Sequence, residues 1–261
     1  MNDVEKTTLS VLTFNAWILR IPLIGGKDVA ARFARLPEAL IGAQADIICL
    51  QEIWHPRDRQ ALYQSLRPAG YEYCFERTKN LADGLLILSK FPGAGPKFLR
   101  HEYGANGWER FLGKGTLYAR IQHPTLGDVD VLNIHLQAAT DTAIRKMQIE
   151  RLMEWQPFAG HVVLAGDFNF PHRWQGATHP VYEWFLKTYQ LRDAYRDVHG
   201  ALTRDGTYDH EQNRYAVSGP ELGAIDYLFY RLGGLRAQSA ELLYKSRPEL
   251  SDHFGVKATF S

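Results

Sequence analysis

Eight short stretches of the chain concentrate apolar and β-branched residues: "LSVLTFN", "DIICLQE", "GLLILS", "GTLYARI", "VDVLNIHL", "HVVLAGDFN", "AIDYLFYR" and "GVKATF". Their length and branching predict β-strands. Between some of them the period becomes helical. From Asp28 to Ala43, with Asp28 as N-cap, Val29, Phe33, Leu36 and Leu40 fall along one face, and Pro37 predicts a kink or restart. Asp141 to Phe158 predicts a second helix through Ile144, Ile149, Leu152 and Trp155; Arg57 to Leu66 and Val181 to Tyr189 predict shorter ones. Strands that follow one another without a helix, as over 115–136, exclude a purely parallel sheet. The pattern predicts an α/β protein in which two mixed sheets pack face to face with helices outside. No repeat, low-complexity tract or long polar linker interrupts it, so one domain over 1–261 is expected.

Several of these runs end in a polar group. "VVLAGDFNF" sets Asp167 and Asn169 two apart, so in an extended chain both project to one face. Alone, that pair reads as an Asx-type turn closing a strand. "SVLTFNAW" ends in Asn15, "DIICLQEIW" in Gln51 and Glu52, and "VLNIHLQA" carries Asn133 and His135. "GAIDYLFY" embeds Asp226, and "LSDHFGV" places Asp252 and His253 before the last strand. Each alone has a structural explanation as a turn, an ion pair or a satisfied core histidine. Six such sites together are harder to explain that way, because a buried carboxylate without a partner is costly. Strand ends also hold functional groups rigidly. Carboxylates and amides suit a hard cation such as Mg²⁺, and two histidines suit proton transfer. HExxH and CxxC patterns are absent, which leaves a zincin or thiolate zinc site unsupported.

Composition narrows the class without identifying a partner. Forty-five per cent hydrophobic residues in 261 build a sizeable core and exclude a disordered chain. A net charge of +1 gives no argument for general nucleic-acid binding, though a local basic cleft is compatible with it. Cys49 and Cys74 read as buried small residues rather than a disulfide framework. The start carries Asp3, Glu5 and Lys6 and no apolar h-region, and no apolar stretch nears the ~18 residues of a membrane span. A soluble cytoplasmic monomer is therefore expected; a secreted chain with its leader already removed would have the same features.

"LTFNAW", "LQEIW", "NIHLQA", "GDFN", "AIDY" and "SDH", in this order, resemble the motif series of the endonuclease/exonuclease/phosphatase superfamily. The series runs from Asn15 to His253. The resemblance implies a four-layered α/β/β/α sandwich and Mg²⁺-dependent cleavage of phosphate esters, with Mn²⁺ or another divalent cation as alternatives. Within the superfamily the chain looks most like the bacterial neutral sphingomyelinases, of phospholipase C type. "GKGTLYARI", "HLQAATDTAIRKMQIERLMEW" and "TYDHEQNRYA" carry that closer likeness. The chain departs from the secreted members in having the polar "YKSRPEL" where they carry an aromatic hairpin.

Carried over residue by residue, the resemblance makes Glu52 the principal Mg²⁺ ligand with Asn15 beside it. His253 becomes the general base and Asp226 its orienter. Asp167 and Asp252 hold the water or a second cation, and Asn169 donates to a phosphate oxygen. His135 stabilises developing charge or protonates the leaving oxygen, with Asp83 as its orienter. Lys114 is a candidate phosphate contact. Trp108, Phe111 and Leu112, with Arg110 and Lys114, suit contact with a phospholipid surface; the alternative is that these rings pack on the sheet. A nuclease would use the same constellation on another phosphodiester. A phosphomonoesterase and a non-enzymatic binding module are further alternatives, the last disfavoured by the intact set of acids and histidines.

Overall fold

The computed structural model describes residues 8–21, 25–77, 83–101, 113–138, 142–156, 158, 160–174, 177–200, 205–217 and 223–261. Along the chain these form β1 (Leu9–Ile18), α1 (Val29–Gly42), β2 (Ile47–Ile53), α2 (Pro56–Leu66), β3 (Tyr73–Phe75), β4 (Leu86–Ser89) and β5 (Gly93–Arg100). Then come β6 (Gly115–His123), β7 (Gly127–His135), α3 (Thr142–Trp155), β8 (His161–Asp167), β9 (Arg173–Trp174) and β10 (Ala177–Thr178). The series ends with α4 (Pro180–Tyr189), β11 (Arg192–Asp193), α5 (Ala194–His199), β12 (Asp226–Arg231), β13 (Ala237–Leu243) and β14 (Gly255–Phe260). None of the described helices is long and apolar enough to cross a membrane.

Two six-stranded sheets carry the architecture, in the orders β13-β14-β1-β2-β4-β3 and β11-β12-β8-β7-β6-β5. Each is mixed: β1 runs parallel to β2 and β7 parallel to β8, while the other pairs are antiparallel. Alternation along each strand feeds two apolar layers. Val11, Cys49 and Ile87 of the first sheet meet Val131, Val163 and Leu228 of the second. On the outer face of the first sheet, Leu12 and Phe14 pack against Leu36 and Leu40 of α1 and Leu62 of α2. On the outer face of the second, Leu132 and Tyr227 pack with Ile149 of α3 and Phe185 of α4. The result is the expected four-layered sandwich of helices, sheet, sheet and helices.

Three local expectations need correction. Pro37 lies inside an unbroken α1, and Asp28 caps nothing with its side chain; its carboxylate instead accepts from the Tyr215 hydroxyl at 2.6 Å. Cys74 is half-buried rather than buried, and both cysteines are free. Edge strands β5 and β13 carry no strong apolar signal, and β3, "YCF", is only three residues long. Strand β5, "GAGPKFLR", contains two glycines and a proline, which an edge tolerates because one side of it needs no ladder partner.

A polar clamp joins the two sheets. Asn133, fully buried on β7, donates through Nδ2 to the carbonyls of Leu50 (2.8 Å) and Leu86 (3.0 Å) and accepts from Nε2 of Gln51 at 2.7 Å. Replacing it with alanine takes a buried donor from two carbonyls, while Gln51 Nε2 keeps the Thr13 hydroxyl (3.1 Å) and the Cys49 carbonyl (3.2 Å) as acceptors. At ~1–3 kcal/mol for each carbonyl, Asn133→Ala is expected to cost on the order of 3–5 kcal/mol. Urea unfolding checks this: the midpoint falls while the slope stays unchanged.

Candidate active site

Strand register gathers the polar strand ends at one edge of the sandwich. On the second sheet, His135 pairs with Asp167 and Asp167 with Asp226, so three adjacent strands present these side chains abreast. On the first sheet Asn15 pairs with Gln51, beside Glu52. The two sheets meet through Asn15, whose Nδ2 donates to Oε1 of Glu52 and to Oδ2 of Asp167, each at 3.1 Å. Gly166 makes this packing feasible. With φ +147 it brings β8 so close to β7 that a Cβ there would lie 1.9 Å from the Ile134 carbonyl oxygen. Glu52, Asn169 and Trp17 all adopt left-handed φ (62, 53 and 50). Such a conformation costs a non-glycine residue roughly 1–2 kcal/mol, and strain of this kind collects at functional sites.

His253 lies between β12 and this cluster. Its Nδ1 donates to Oδ2 of Asp226 at 2.8 Å, which leaves Nε2 directed toward Asp167, 4.0 Å from Oδ2. Burial opposes the charged imidazole, but Asp226, then Asp252 and Asp167, outweigh it and raise its pKa well above the ordinary value. Burial and the neighbouring Asp226 carboxylate push Asp167 up to about 7, and burial pushes Asp252 up to about 6. Asp252 is half-buried and accepts from the Ser251 hydroxyl at 3.0 Å. Asn169 is half-buried as well; its backbone N–H donates to Asp167 and its Nδ2 to the Leu136 carbonyl, both at 2.9 Å.

The donor set suits a hard cation. Glu52 and Asp167 converge on one amide, Asp252 adds a third carboxylate within electrostatic reach of Glu52, and all offer oxygen. His135 is fully buried, and neither ring nitrogen has a hydrogen-bond partner among the described residues. Its Nε2 faces Oδ2 of Asp167 at 3.5 Å and Oε1 of Glu52 at 3.8 Å. Orphaned imidazole nitrogens beside buried acids mark a place built for a charged group or substrate oxygen. Asp167, Asp226 and His253 also offer ligand atoms within 4.8 Å of one another. The described residues thus offer two places for a cation, the Asp167–Asp226–His253 group and the Glu52–Asp167 pair, the first spanned by the His253–Asp226 hydrogen bond and the second by the Asn15 amide.

Asn15 turns its nitrogen to the carboxylates while its Oδ1 accepts from Trp17 N–H at 3.1 Å, so its amide bridges the two acids. Asp83 does not orient His135. It is paired with the buried Arg59 guanidinium at 3.5 Å and accepts from Leu85 N–H. Burial first, and then Lys114 and His253, hold the His135 pKa well below its usual value, which favours the neutral ring. Lys114 is buried and electrostatically coupled to both His135 and Asp167, in keeping with a place at the site. Trp108, Phe111 and Leu112 lie outside the described residues.

Other residues escaped the sequence reading. Trp54 donates through Nε1 to Oε2 of Glu52 at 3.3 Å, and the Tyr208 ring meets the His253 ring edge-on at 5.1 Å. Arg32 donates to the carbonyls of Lys27 (2.8 Å), Ala16 (2.8 Å), Leu250 (2.9 Å) and Trp17 (2.7 Å), tying the Asn15 strand to the Ser251–His253 loop. A usable signal existed: Arg32 stands in line with Leu36 and Leu40 on the apolar face of α1.

Comparison with known proteins bears on this arrangement. The model of the endonuclease/exonuclease/phosphatase family matches residues 12–253. An inositol phosphosphingolipids phospholipase C of Schizosaccharomyces pombe is 27% identical over 318 residues, spanning 99% of this chain and 70% of that protein. The crystal structure of sphingomyelinase C from Streptomyces griseocarneus aligns with a TM-score of 0.73 at 21% identity, over 97% of this chain and 99% of that one. D. rerio TDP2 complexed with single strand DNA product aligns with a TM-score of 0.74 at 17% identity, over 98% and 99%. At these identities the two structures establish the fold.

Proposed function

As the chain belongs to the endonuclease/exonuclease/phosphatase family, matched over 12–253, we propose that it is a Mg²⁺-dependent phosphodiesterase of sphingomyelinase type, releasing a phosphorylated head group from a phospholipid. The observation that carries the hydrolase reading is the His253–Asp226 hydrogen bond of 2.8 Å, which leaves Nε2 facing Asp167 at 4.0 Å. What favours a lipid ester is the likeness over 99% of the chain to a phospholipase C, together with the quoted sphingomyelinase-like segments.

Glu52 and Asp167, with Asp252 beside them, would hold the divalent cation; bound there, it neutralises charge on the phosphoryl oxygens. The chain's own groups supply the proton chemistry. His253 takes a proton from water at Nε2, while Asp226 fixes the tautomer and balances the imidazolium that forms. Asn169 donates to a non-bridging oxygen, and neutral His135 donates to charge developing on the phosphate. Glu52, Asp252 and Asn169 are the half-buried members of the cluster and define its approach from solvent. On this reading Trp108 meets the lipid surface.

Because neutral His253 is the base, activity should rise with pH through its raised pKa. Removing Asp226 takes away the largest influence that raises that pKa. Asp226→Asn is therefore expected to move the acidic limb of the kcat/KM profile to lower pH. Its plateau should fall by roughly 10²–10⁴-fold through the lost tautomer control. A limb that stays in place would separate Asp226 from the base.

A nuclease is the second reading, favoured by one feature: Arg77, Lys97 and Arg100 line a groove with Phe98 along β5, where the one acid, Glu76, is paired with Arg59, leaving a net cationic and aromatic surface that suits a polyanion. One assay distinguishes the two. Purified protein with Mg²⁺ is offered sphingomyelin micelles, glycerophospholipid micelles and plasmid DNA in parallel. Phosphocholine release without DNA nicking is the expected result; nicking without phosphocholine release reverses the assignment.

A further inference from the structure

The catalytic loop Ser251–Phe254 lies outside any regular element, yet His253 must meet Asp226 at hydrogen-bond distance. The segment 207–213 supplies the missing order. Thr207, 1% exposed, accepts with its side-chain oxygen from the backbone N–H of Ile225 (3.0 Å) and Asp226 (3.1 Å). Its carbonyl accepts from Phe254 N–H at 2.7 Å, and its own N–H donates to the Gly223 carbonyl at 3.2 Å. One residue thus holds the backbone of the orienting acid and the residue after the base. Asn213, also 1% exposed, donates through Nδ2 to the Ser251 carbonyl at 2.9 Å, two residues before the base, and accepts from Tyr215 N–H at 3.0 Å. Asp209 folds the intervening turn by accepting from the N–H groups of Glu211 (2.9 Å) and Gln212 (3.2 Å), and its carbonyl accepts from Asn213 N–H at 2.8 Å.

We propose that Thr207 and Asn213 are positioning residues that clamp both ends of the His253 loop and, through the Thr207 hydroxyl, set its distance to Asp226. The chemistry is indirect, since neither residue takes or gives a proton. Bracketing a loop at both ends by buried hydrogen bonds removes its freedom to swing, and a displacement of ~1 Å at a reacting group can cost ~10²-fold in rate. The requirement is for a short hydroxyl at 207, where serine serves and valine does not. At 213 it is for an amide that donates and accepts at once. This inference rests on the phosphodiesterase reading for its kinetic consequence, but its structural core is independent of substrate.

The test compares Thr207→Val with Thr207→Ser, and Asn213→Ala with wild type, on bis(p-nitrophenyl) phosphate, a soluble diester that needs no membrane. Thr207→Val and Asn213→Ala are expected to lose ~10–100-fold in kcat at unchanged KM, and Thr207→Ser to stay within a few-fold of wild type. A second readout uses the downfield proton resonance of His253 Nδ1–H, assigned by its absence in His253→Ala. It should vanish or broaden in Thr207→Val and persist in Thr207→Ser. A folded Thr207→Val with wild-type kcat and an intact resonance overturns the clamp. Should wild type hydrolyse no diester at all, the functional reading falls, and the resonance alone decides the clamp: loss in valine and retention in serine support it, equal spectra overturn it.

Discussion

Substituting alanine for His253 is expected to lower kcat for phosphodiester hydrolysis by roughly 10²–10⁴-fold, the usual worth of a positioned general base. The expectation follows from asymmetry at the ring. One nitrogen is committed to Asp226 at 2.8 Å, and the other faces the acid cluster with no direct bond to it. A histidine serving only structure would normally have both nitrogens satisfied. KM should change little, because the imidazole acts on the attacking water rather than on the head group. Replacing a buried ring with alanine opens a cavity, so the thermal midpoint must be measured alongside. A loss of activity accompanied by an intact melting transition is the outcome that supports the base; wild-type kcat in a folded variant removes it.

The second large effect belongs to Glu52. Its oxygens accept from Asn15 (3.1 Å) and Trp54 (3.3 Å), and its backbone is held in a left-handed conformation that only surrounding contacts sustain. Glu52→Gln keeps size and shape but removes the negative charge and turns an NH₂ group toward a neighbouring donor. Outer partners of metal ligands cost ~10–100-fold in affinity when lost, and a direct ligand should exceed that. Activity at low Mg²⁺ is therefore expected to disappear, with partial recovery as Mg²⁺ is raised. The melting temperature should stay near that of wild type, since Glu52 is only half-buried and its removal relieves repulsion with Asp252. Unchanged turnover at low Mg²⁺ would mean that Glu52 is no ligand.

Most of the site was legible because its residues sit where the apolar pattern ends. Asn15, Glu52, His135, Asp167 and Asp226 each interrupt a strand whose alternation is otherwise apolar, and strand register then makes them neighbours. What was not legible was orientation. Nothing in "LTFNAW" says that the Asn15 amide points its nitrogen at the acids, because that choice is made by Trp17 N–H two residues on. Asp83 was misassigned because its partner, Arg59, lies on α2, and no local pattern ties that helix to the "ADGLL" stretch. The clamp at Thr207 and Asn213 was visible only as a family-like segment. Its action is through backbone groups of Ile225, Asp226, Ser251 and Phe254, which carry no residue-specific signal. Edge strands β5 and β13 were missed for a related reason: much of their surface faces solvent, so apolar content falls below what periodicity detects, while β3, "YCF", is too short for a period to register.

The central claim is that Glu52 and Asp167 hold a divalent cation for the His253-dependent opening of a phosphodiester. Mg²⁺ titration of chelator-treated protein on bis(p-nitrophenyl) phosphate, for wild type and Glu52→Gln together, tests it most directly. The account predicts no hydrolysis after chelation, saturable recovery in wild type, and recovery in Glu52→Gln only at much higher Mg²⁺. Hydrolysis that survives chelation, or one shared Mg²⁺ midpoint for both proteins, would contradict it.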